Sequence, residues 1–412
     1  MQDLKNIKND SRILGNSSAK LRNLFLRTLA STLIKETNTI LLANDKDCKK
    51  MSKSDPMLDR LMLTKDRIKS MAHDLRIVAS FQDPLGEVLE QRKMKQGMLL
   101  QKVRTPIGVV AVIYESRPNV TVDVVSLCIK SGNAVVLKGG KESINTNLAL
   151  VRIIKKCLKK LSLPEGSVVY IDSKDRSAVK ELLLMDQCID VVIPRGGRGL
   201  INFVRDNARM PAIETGAGVC HLYIDNKADI DRAIKIAHNA KTQRPSVCNA
   251  LDTLLIHKNS AKQALDKFSD MFFESGVEVF ADSQSFKILK SGYANLKKAK
   301  KEDFGNEYLS LKMSIKIVPS LDSAIEHINE YGSGHSEAIA SKNNKNINEF
   351  LSRVDAACVY ANASTRFTDG AEFGLGGEIG ISTQKLHARG PMGINELTTY
   401  KWLIKGKGQI RK

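Results

Sequence analysis

Cys248 lies in Arg244-Pro-Ser-Val-Cys-Asn-Ala250, a loop opened by Arg244-Pro245 and closed by an apolar run over 251–257 that reads as a strand. Proline keeps a preceding helix from running into the cysteine, and a strand directly after it gives a rigid base. A thiol held this way is a candidate nucleophile, because its thiolate attacks carbonyl carbon readily. The competing reading is a small buried apolar residue, the ordinary fate of a single cysteine in a reducing compartment. A second candidate is Arg195-Gly-Gly-Arg-Gly199, placed between an apolar run and a helix start at Leu200-Ile-Asn-Phe-Val-Arg. Glycines at such a turn let backbone amides approach a phosphate, and the helix N-terminus adds partial positive charge. The turn does not match GxGxxG, so a plain tight turn competes with that reading. Ala212-Ile-Glu-Thr-Gly-Ala-Gly218 reads as another strand ending in glycines, with Glu214 at its mouth.

The elements that must position these groups follow a change of pattern along the chain. Residues 3 to about 90 carry leucines and isoleucines mostly at helical spacing, interrupted at Asp55-Pro56, and read as a helical arm without chemistry of its own. Residues 94–104 read as a hairpin with Gln96-Gly97 as its turn. From there, strand-like runs at 107–114, 134–138, 168–171 and 189–194 alternate with helical segments at 120–130, 145–161 and 177–185. Such a repeat predicts a parallel sheet with crossover helices, a Rossmann-like α/β domain. A second α/β unit is expected over 219–386, with strands at 221–224, 253–257, 315–318, 336–340 and 357–362 and helices around 229–240, 260–275, 321–329 and 344–353. The tail, 398–411, reads as one more strand with Tyr400, Trp402 and Ile404 alternating. An unpaired strand of that length is a liability, so it must pair in its own sheet or with a neighbour's.

Composition narrows the class. With 412 residues, 42% of them hydrophobic, the chain is long enough for two or three domains and has ample material for a core. Its most apolar run, 107–113, is far short of the roughly 20 residues a membrane span needs, and the polar N-terminus lacks a signal-peptide core. Seven cysteines without a CxxC pair argue against a disulfide framework or structural zinc and for a cytoplasmic location; no histidine cluster has metal-ligand spacing, and no metal is expected. The formal charge of +19 suits anionic partners, whether nucleic acid, a membrane surface or phosphorylated metabolites. It is spread along the chain, and aromatics are only 5%, so the interleaved pattern of single-strand binders is missing and no nucleic-acid partner is expected. The densest run, Lys297-Lys298-Ala-Lys300-Lys301, reads as a solvated face.

Several long blocks in one order resemble the aldehyde dehydrogenase superfamily: Thr105-Pro-Ile-Gly-Val-Val, Tyr114-Glu-Ser-Arg-Pro-Asn-Val-Thr, Ser131-Gly-Asn-Ala-Val-Val-Leu-Lys-Gly-Gly-Lys-Glu, Ile193-Pro-Arg-Gly-Gly, Glu214-Thr-Gly-Ala-Gly and Arg244-Pro-Ser-Val-Cys-Asn-Ala. The late blocks Tyr331-Gly-Ser-Gly-His-Ser-Glu-Ala-Ile, Asn362-Ala-Ser-Thr-Arg-Phe-Thr-Asp-Gly and Gln384-Lys-Leu-His-Ala-Arg-Gly-Pro-Met-Gly resemble the branch that acts on L-glutamyl 5-phosphate in proline biosynthesis. The resemblance implies an aldehyde dehydrogenase-like α/β fold. Its parts would be an NADP-binding domain over 1–93 and 105–216, a catalytic domain over 217–386, and an oligomerisation flap over 94–104 and 398–411. It also implies NADPH-dependent reduction of glutamyl 5-phosphate to glutamate 5-semialdehyde through a thioester on Cys248. A coenzyme A-dependent acylating relative is the rival within the superfamily, and the block starting at Asn362 argues against it. A homo-oligomer and a functional link to glutamate 5-kinase are further implications.

The resemblance also assigns roles. Asn119 would join the Cys248 backbone N–H as oxyanion donor, although its place after Arg117-Pro118 alone suggests a turn. Glu214 matches a glutamate that activates water; hydrolysis would waste this intermediate, so a lesser role in cofactor placement or proton handling is expected. Lys138 and Glu307 match residues that hold the cofactor riboses, and Lys141, beside Glu142, would face the 2′-phosphate. Arg195, Gly196 and Gly197 would line the cofactor phosphates. Arg117, Arg244 and Arg366 are the candidate cations for an anionic substrate, and His335 and His387 fall in matched blocks.

Overall fold

The computed structural model describes residues 4–52, 55, 58–115, 117–173, 175 and 177–411. Two compact units are built from interleaved stretches of chain, 1–215 with 374–380 and 391–412, and 216–373 with 381–390.

In the first unit the β-branched runs become a four-stranded parallel sheet in the order Val168–Tyr170, Ala134–Lys138, Val109–Tyr114, Val191–Arg195. All residues of Val109–Tyr114 and Ala134–Lys138 are buried, which is why these strands read as continuous rather than alternating apolar runs. Helices Asn119–Lys130, Ile144–Lys160, Ser177–Leu183 and Arg198–Asn207 follow the strands. Residues 212–218, expected as a strand, make only a single parallel bridge between Ala212 and Val192; Thr215 and the glycines have close-packing duties that a ladder would prevent.

Helices Ile7–Gly15, Ala19–Lys35, Thr37–Cys48, Leu58–Leu61 and Lys65–Ser80 make up much of the N-terminal arm. Helix Ala19–Lys35, capped by the Ser18 hydroxyl, packs on Lys65–Ser80, which packs in turn on Asn119–Lys130. Pro56 and Met57, at the expected break, lie outside the described residues. Asn44 and Asp47 are buried polar anchors of the arm, and both reach Thr146. Asp47 accepts the Thr146 N–H at 2.8 Å, the Thr146 hydroxyl at 2.7 Å and the Asn145 amide at 2.6 Å, placing a carboxylate on the first turn of Ile144–Lys160. Helix does not extend to residue 90 as the apolar spacing suggests. Val88–Lys93 is an exposed strand, made by pairing with Leu99–Pro106 rather than by its own pattern. The turn between them holds Gly97 at φ +86°. Thr398–Lys405 adds antiparallel on the other side, with Tyr400, Trp402 and Ile404 exposed.

The second unit is a seven-stranded parallel sheet. Its order is Leu296–Lys298, Glu278–Ala281, Lys312–Val318, Leu251–His257, Cys220–Ile224, Ser336–Ala340, Cys358–Ala361. Leu251–His257 is the central strand and is buried along its whole length. Two strands escape the apolar pattern. Glu278–Ala281 is short, and Leu296–Lys298 is the start of the basic run read as a solvated face. Lysines on an edge strand keep it from pairing further.

Candidate active site

The Cys248 loop is closed at its base by charge. Helix Ile230–Thr242 ends three residues before Pro245, and strand Leu251–His257 begins three after Cys248. Lys241, on the last turn of the helix, meets Asp252 on the strand at 3.4 Å, both fully buried. Burial holds the Lys241 ammonium below its ordinary value and pushes the Asp252 carboxyl up to about 6, each opposed by the other's charge. Removing one partner would leave a buried charge uncompensated, so the pair fixes the span of the loop.

Every other support comes from loops that enter the same edge of the parallel sheet. Gly218 precedes the neighbouring strand, and a methyl group there would overlap the Cys248 carbonyl and Cα. The Gly218 N–H donates to Glu307 Oε1 at 2.9 Å, and the Val219 N–H to Ser333 Oγ at 2.8 Å. Two residues on, the Cys220 thiol donates to the Cys248 carbonyl at 3.2 Å. Burial raises the Cys220 thiol well above its usual range, so it stays protonated and serves as a donor. Its sulfur also lies 3.8 Å from Nδ1 of His335, a buried imidazole pushed down to about 4 by desolvation and therefore neutral.

Asn249 anchors the other side of the nucleophile. Its amide donates to the Thr368 carbonyl at 2.8 Å and the Arg366 carbonyl at 3.3 Å, and its own carbonyl accepts the Thr365 hydroxyl at 2.7 Å. Arg366 donates to Asn249 Oδ1 and, at 2.8 Å, to Gln243 Oε1. Both acceptors are neutral amides, so they orient the guanidinium without cancelling its charge. Burial, and secondarily the nearby Arg244, lower its affinity for the proton, while Asp369 opposes them. Cys248 itself is half-buried, Arg244 exposed, and His387 exposed. In this unit, then, Cys248, Glu307, Arg244 and Arg366 of the sequence-based set gather at one sheet edge. Cys220, Asn249, Lys241 and Asp252 join them without having been singled out.

The first unit holds the remaining candidates. Asn119 is the first residue of helix Asn119–Lys130, and its Nδ2 donates to Asp123 Oδ2, one turn on, at 3.0 Å. Lys138 ends its strand buried, with Nζ donating to the Gly139 carbonyl at 2.8 Å and its ammonium held below the ordinary value by desolvation. Lys141, by contrast, is exposed. At the glycine turn, the Gly197 N–H donates to a Glu115 carboxylate oxygen at 3.1 Å, an approach that requires Gly196 to lack a side chain. The amide expected to meet a phosphate thus holds an anion of the chain's own. The Arg195 guanidinium packs against Gly380, where a Cβ would meet it. Glu214 lies 3.7 Å from Arg205, and Arg117 is half-buried. Among the described residues, no group of three or more His, Cys, Asp or Glu is arranged to hold a metal ion, and no helix is long and apolar enough to cross a membrane.

One unit with a cysteine loop entering a parallel sheet, and another whose parallel sheet ends in a glycine turn, agree with the profile described as "Aldehyde dehydrogenase family", which matches residues 19–278. The chain belongs to the aldehyde dehydrogenase family. Within it, relatives at half identity carry the name gamma-glutamyl phosphate reductase. The chain is 50% identical to one from Francisella philomiragia over 99% of its length and 98% of that protein, and 50% identical to one from Legionella pneumophila strain Paris over 95% and 94%. The crystal structure of gamma-glutamyl phosphate reductase from Thermotoga maritima superposes with a TM-score of 0.96 at 42% identity, covering 100% of this chain and 99% of that one. An acetylating aldehyde dehydrogenase from Geobacillus thermoglucosidasius shares the fold at 17% identity and a TM-score of 0.71.

Proposed function

We propose that the chain reduces L-glutamyl 5-phosphate to L-glutamate 5-semialdehyde, releasing phosphate, in proline biosynthesis. The observation that carries this reading is half-identity over nearly the full length with relatives bearing the name gamma-glutamyl phosphate reductase. An acyl phosphate supplies the leaving group that a free carboxylate lacks. Cys248 thiolate attacks the acyl carbon, the C–O bond to phosphate breaks, and the acyl group is held as a thioester. Negative charge gathers on the former carbonyl oxygen, where the Cys248 N–H and the Asn119 amide donate to it. Arg366 and Arg244, with Arg117, meet the substrate's carboxylate and phosphate. Glu214, tied to Arg205, plays a supporting part rather than activating water. When the aldehyde forms, the C–S bond breaks and the thiolate is restored.

The cofactor in this reading is NADPH, which when bound supplies the hydride. Supporting it are a Gly197 N–H that donates to an anionic partner, the cations Lys138, at the end of strand Ala134–Lys138, and Lys141 beyond it, and Glu307 for a ribose. Glu115 competes for the same amide. Glu115→Gln is therefore expected to lower the KM for NADPH by about two- to fivefold with kcat unchanged; a raised KM would remove Glu115 as a competitor. The chain works as a cytoplasmic homo-oligomer linked to glutamate 5-kinase, with the exposed strand Thr398–Lys405 as the natural pairing edge.

The direct test is oxidation of glutamate 5-semialdehyde with NADP, run with inorganic phosphate or with coenzyme A as acyl acceptor. Turnover that requires phosphate is the expected result. Turnover driven by coenzyme A and indifferent to phosphate would replace this reading with that of an acylating aldehyde dehydrogenase.

A further inference from the structure

Asn119 has two amide hydrogens, and one of them is already committed. Its Nδ2 lies 3.0 Å from Asp123 Oδ2, an i, i+4 contact on one face of helix Asn119–Lys130. An ionised carboxylate accepts and never donates, so it decides which end of the amide faces it: nitrogen inward, Oδ1 away. With that torsion fixed, the second N–H has a single direction. We infer that Asp123 is the positioning residue for Asn119, taking one N–H so that the other is aimed where an oxyanion forms. The inference rests on the reading of Asn119 as oxyanion donor.

The surroundings of Asp123 suit a carboxylate with this duty. Helix Lys65–Ser80 packs against its helix and brings Asp74, next to His73, toward it; Arg195, at the end of strand Val191–Arg195, faces it from the sheet. Desolvation foremost, and then Asp74, push the Asp123 carboxyl up to about 7, against the Asn119 hydrogen bond and the Arg195 charge. Below that value the carboxyl is protonated and donates to Asn119 Oδ1 as readily as it accepts from Nδ2, so the amide loses its fixed sense. Activity should fall toward acid for this reason.

Three variants in the phosphate-dependent oxidation test it. Asn119→Ala is expected to lose about 10²- to 10³-fold in kcat, as for any oxyanion donor. Asp123→Leu is expected to lose roughly 10- to 100-fold in kcat with KM little changed, since aim rather than binding is lost. The double variant should be no slower than Asn119→Ala alone. Asp123→Asn, which like the protonated carboxyl can both accept and donate, should hold the lowered rate that the unaltered chain shows below pH 7 at every pH and so lose the acid limb; titration of phosphate is common to both and cancels in the comparison.

Stability supplies a separate check on the ionisation. A carboxyl whose folded-state value exceeds its unfolded value of about 3.9 binds more protons when folded. Its cost is therefore absent at low pH, accumulates as pH rises through about 7, and is full above that. Asp123→Asn should melt above the unaltered chain at pH 8 and level with it at pH 4. Should Asp123→Leu fail to fold, the pH profile of Asp123→Asn decides. An Asn119→Ala loss beside Asp123 variants with unchanged kcat and pH profile would overturn the positioning role alone. Full activity in Asn119→Ala would overturn both readings.

Discussion

Replacing Cys248 by serine is expected to lower turnover by roughly 10⁴-fold or more. A thiol loses its proton close enough to neutral pH to supply thiolate; an alcohol does not, and needs a base poised beside it. The imidazole supporting this loop, His335, is buried, pushed down to about 4 and turned toward Cys220 and, at 2.8 Å, the Ser336 hydroxyl. Nothing in that arrangement activates a serine at position 248. The measurement is kcat for phosphate-dependent semialdehyde oxidation, paired with one-to-one release of phosphate on adding acyl phosphate without cofactor. Both should vanish in Cys248→Ser, and unchanged turnover would sink the thioester. Cys220 provides the contrast. Cys220→Ser keeps a donor to the Cys248 carbonyl and should keep most of the activity. Iodoacetamide should reach the half-buried Cys248 and leave the buried Cys220 untouched.

Gly218→Ala is expected to be the most damaging change among groups that never touch substrate. The added methyl would overlap backbone atoms of Cys248, which cannot swing aside as the end of a flexible side chain would. Either the Cys248 peptide moves or the 216–219 segment does, and the second option breaks the hydrogen bond from Gly218 to Glu307. Displacing the nucleophile by about 1 Å costs on the order of 10²-fold in rate. Overpacking adds about 1–3 kcal/mol of instability. The expected result is a folded protein melting a few degrees lower, with kcat down by at least about 10²-fold and slower alkylation of Cys248. Gly292→Ala, with open space around its Cα, is the control and should leave both unchanged. A fully active Gly218→Ala would mean that the loop is not held as tightly as the contact implies.

The sequence was most legible where chemistry and local pattern coincide. Proline before Cys248 and an apolar run after it predicted a loop leading into a strand, and the strand occupies Leu251–His257 as expected. Buried parallel strands such as Val109–Tyr114 announce themselves because both faces must be apolar. What escaped were partners chosen by topology. Cys220 meets the carbonyl of a residue 28 positions away, and Asn249 meets Arg366 at a separation of 117. The parallel order of the sheet brings the loops before adjacent strands together, and the segment after the edge strand Cys358–Ala361 returns to meet Asn249. The glycine at 218 was visible as the end of an expected strand, when its purpose is to let two backbones touch. Asp123 was not singled out, lying one turn along the helix from a residue whose own role came only from resemblance. Edge strands as short as Leu296–Lys298 carry too few residues to show a period.

The order in which the first unit is assembled has a consequence for biosynthesis. Strand Thr398–Lys405 pairs along its full length with Leu99–Pro106, from Thr398 opposite Pro106 to Lys405 opposite Leu99. A growing chain leaving the ribosome therefore exposes the edge of Leu99–Pro106 until Thr398–Lys405 is made, while the entire second unit is made in between. At synthesis rates of about 5–20 residues per second, that edge stays open for tens of seconds. The nascent chain is most vulnerable to mispairing there, and loss of strand Thr398–Lys405 would make that vulnerability permanent.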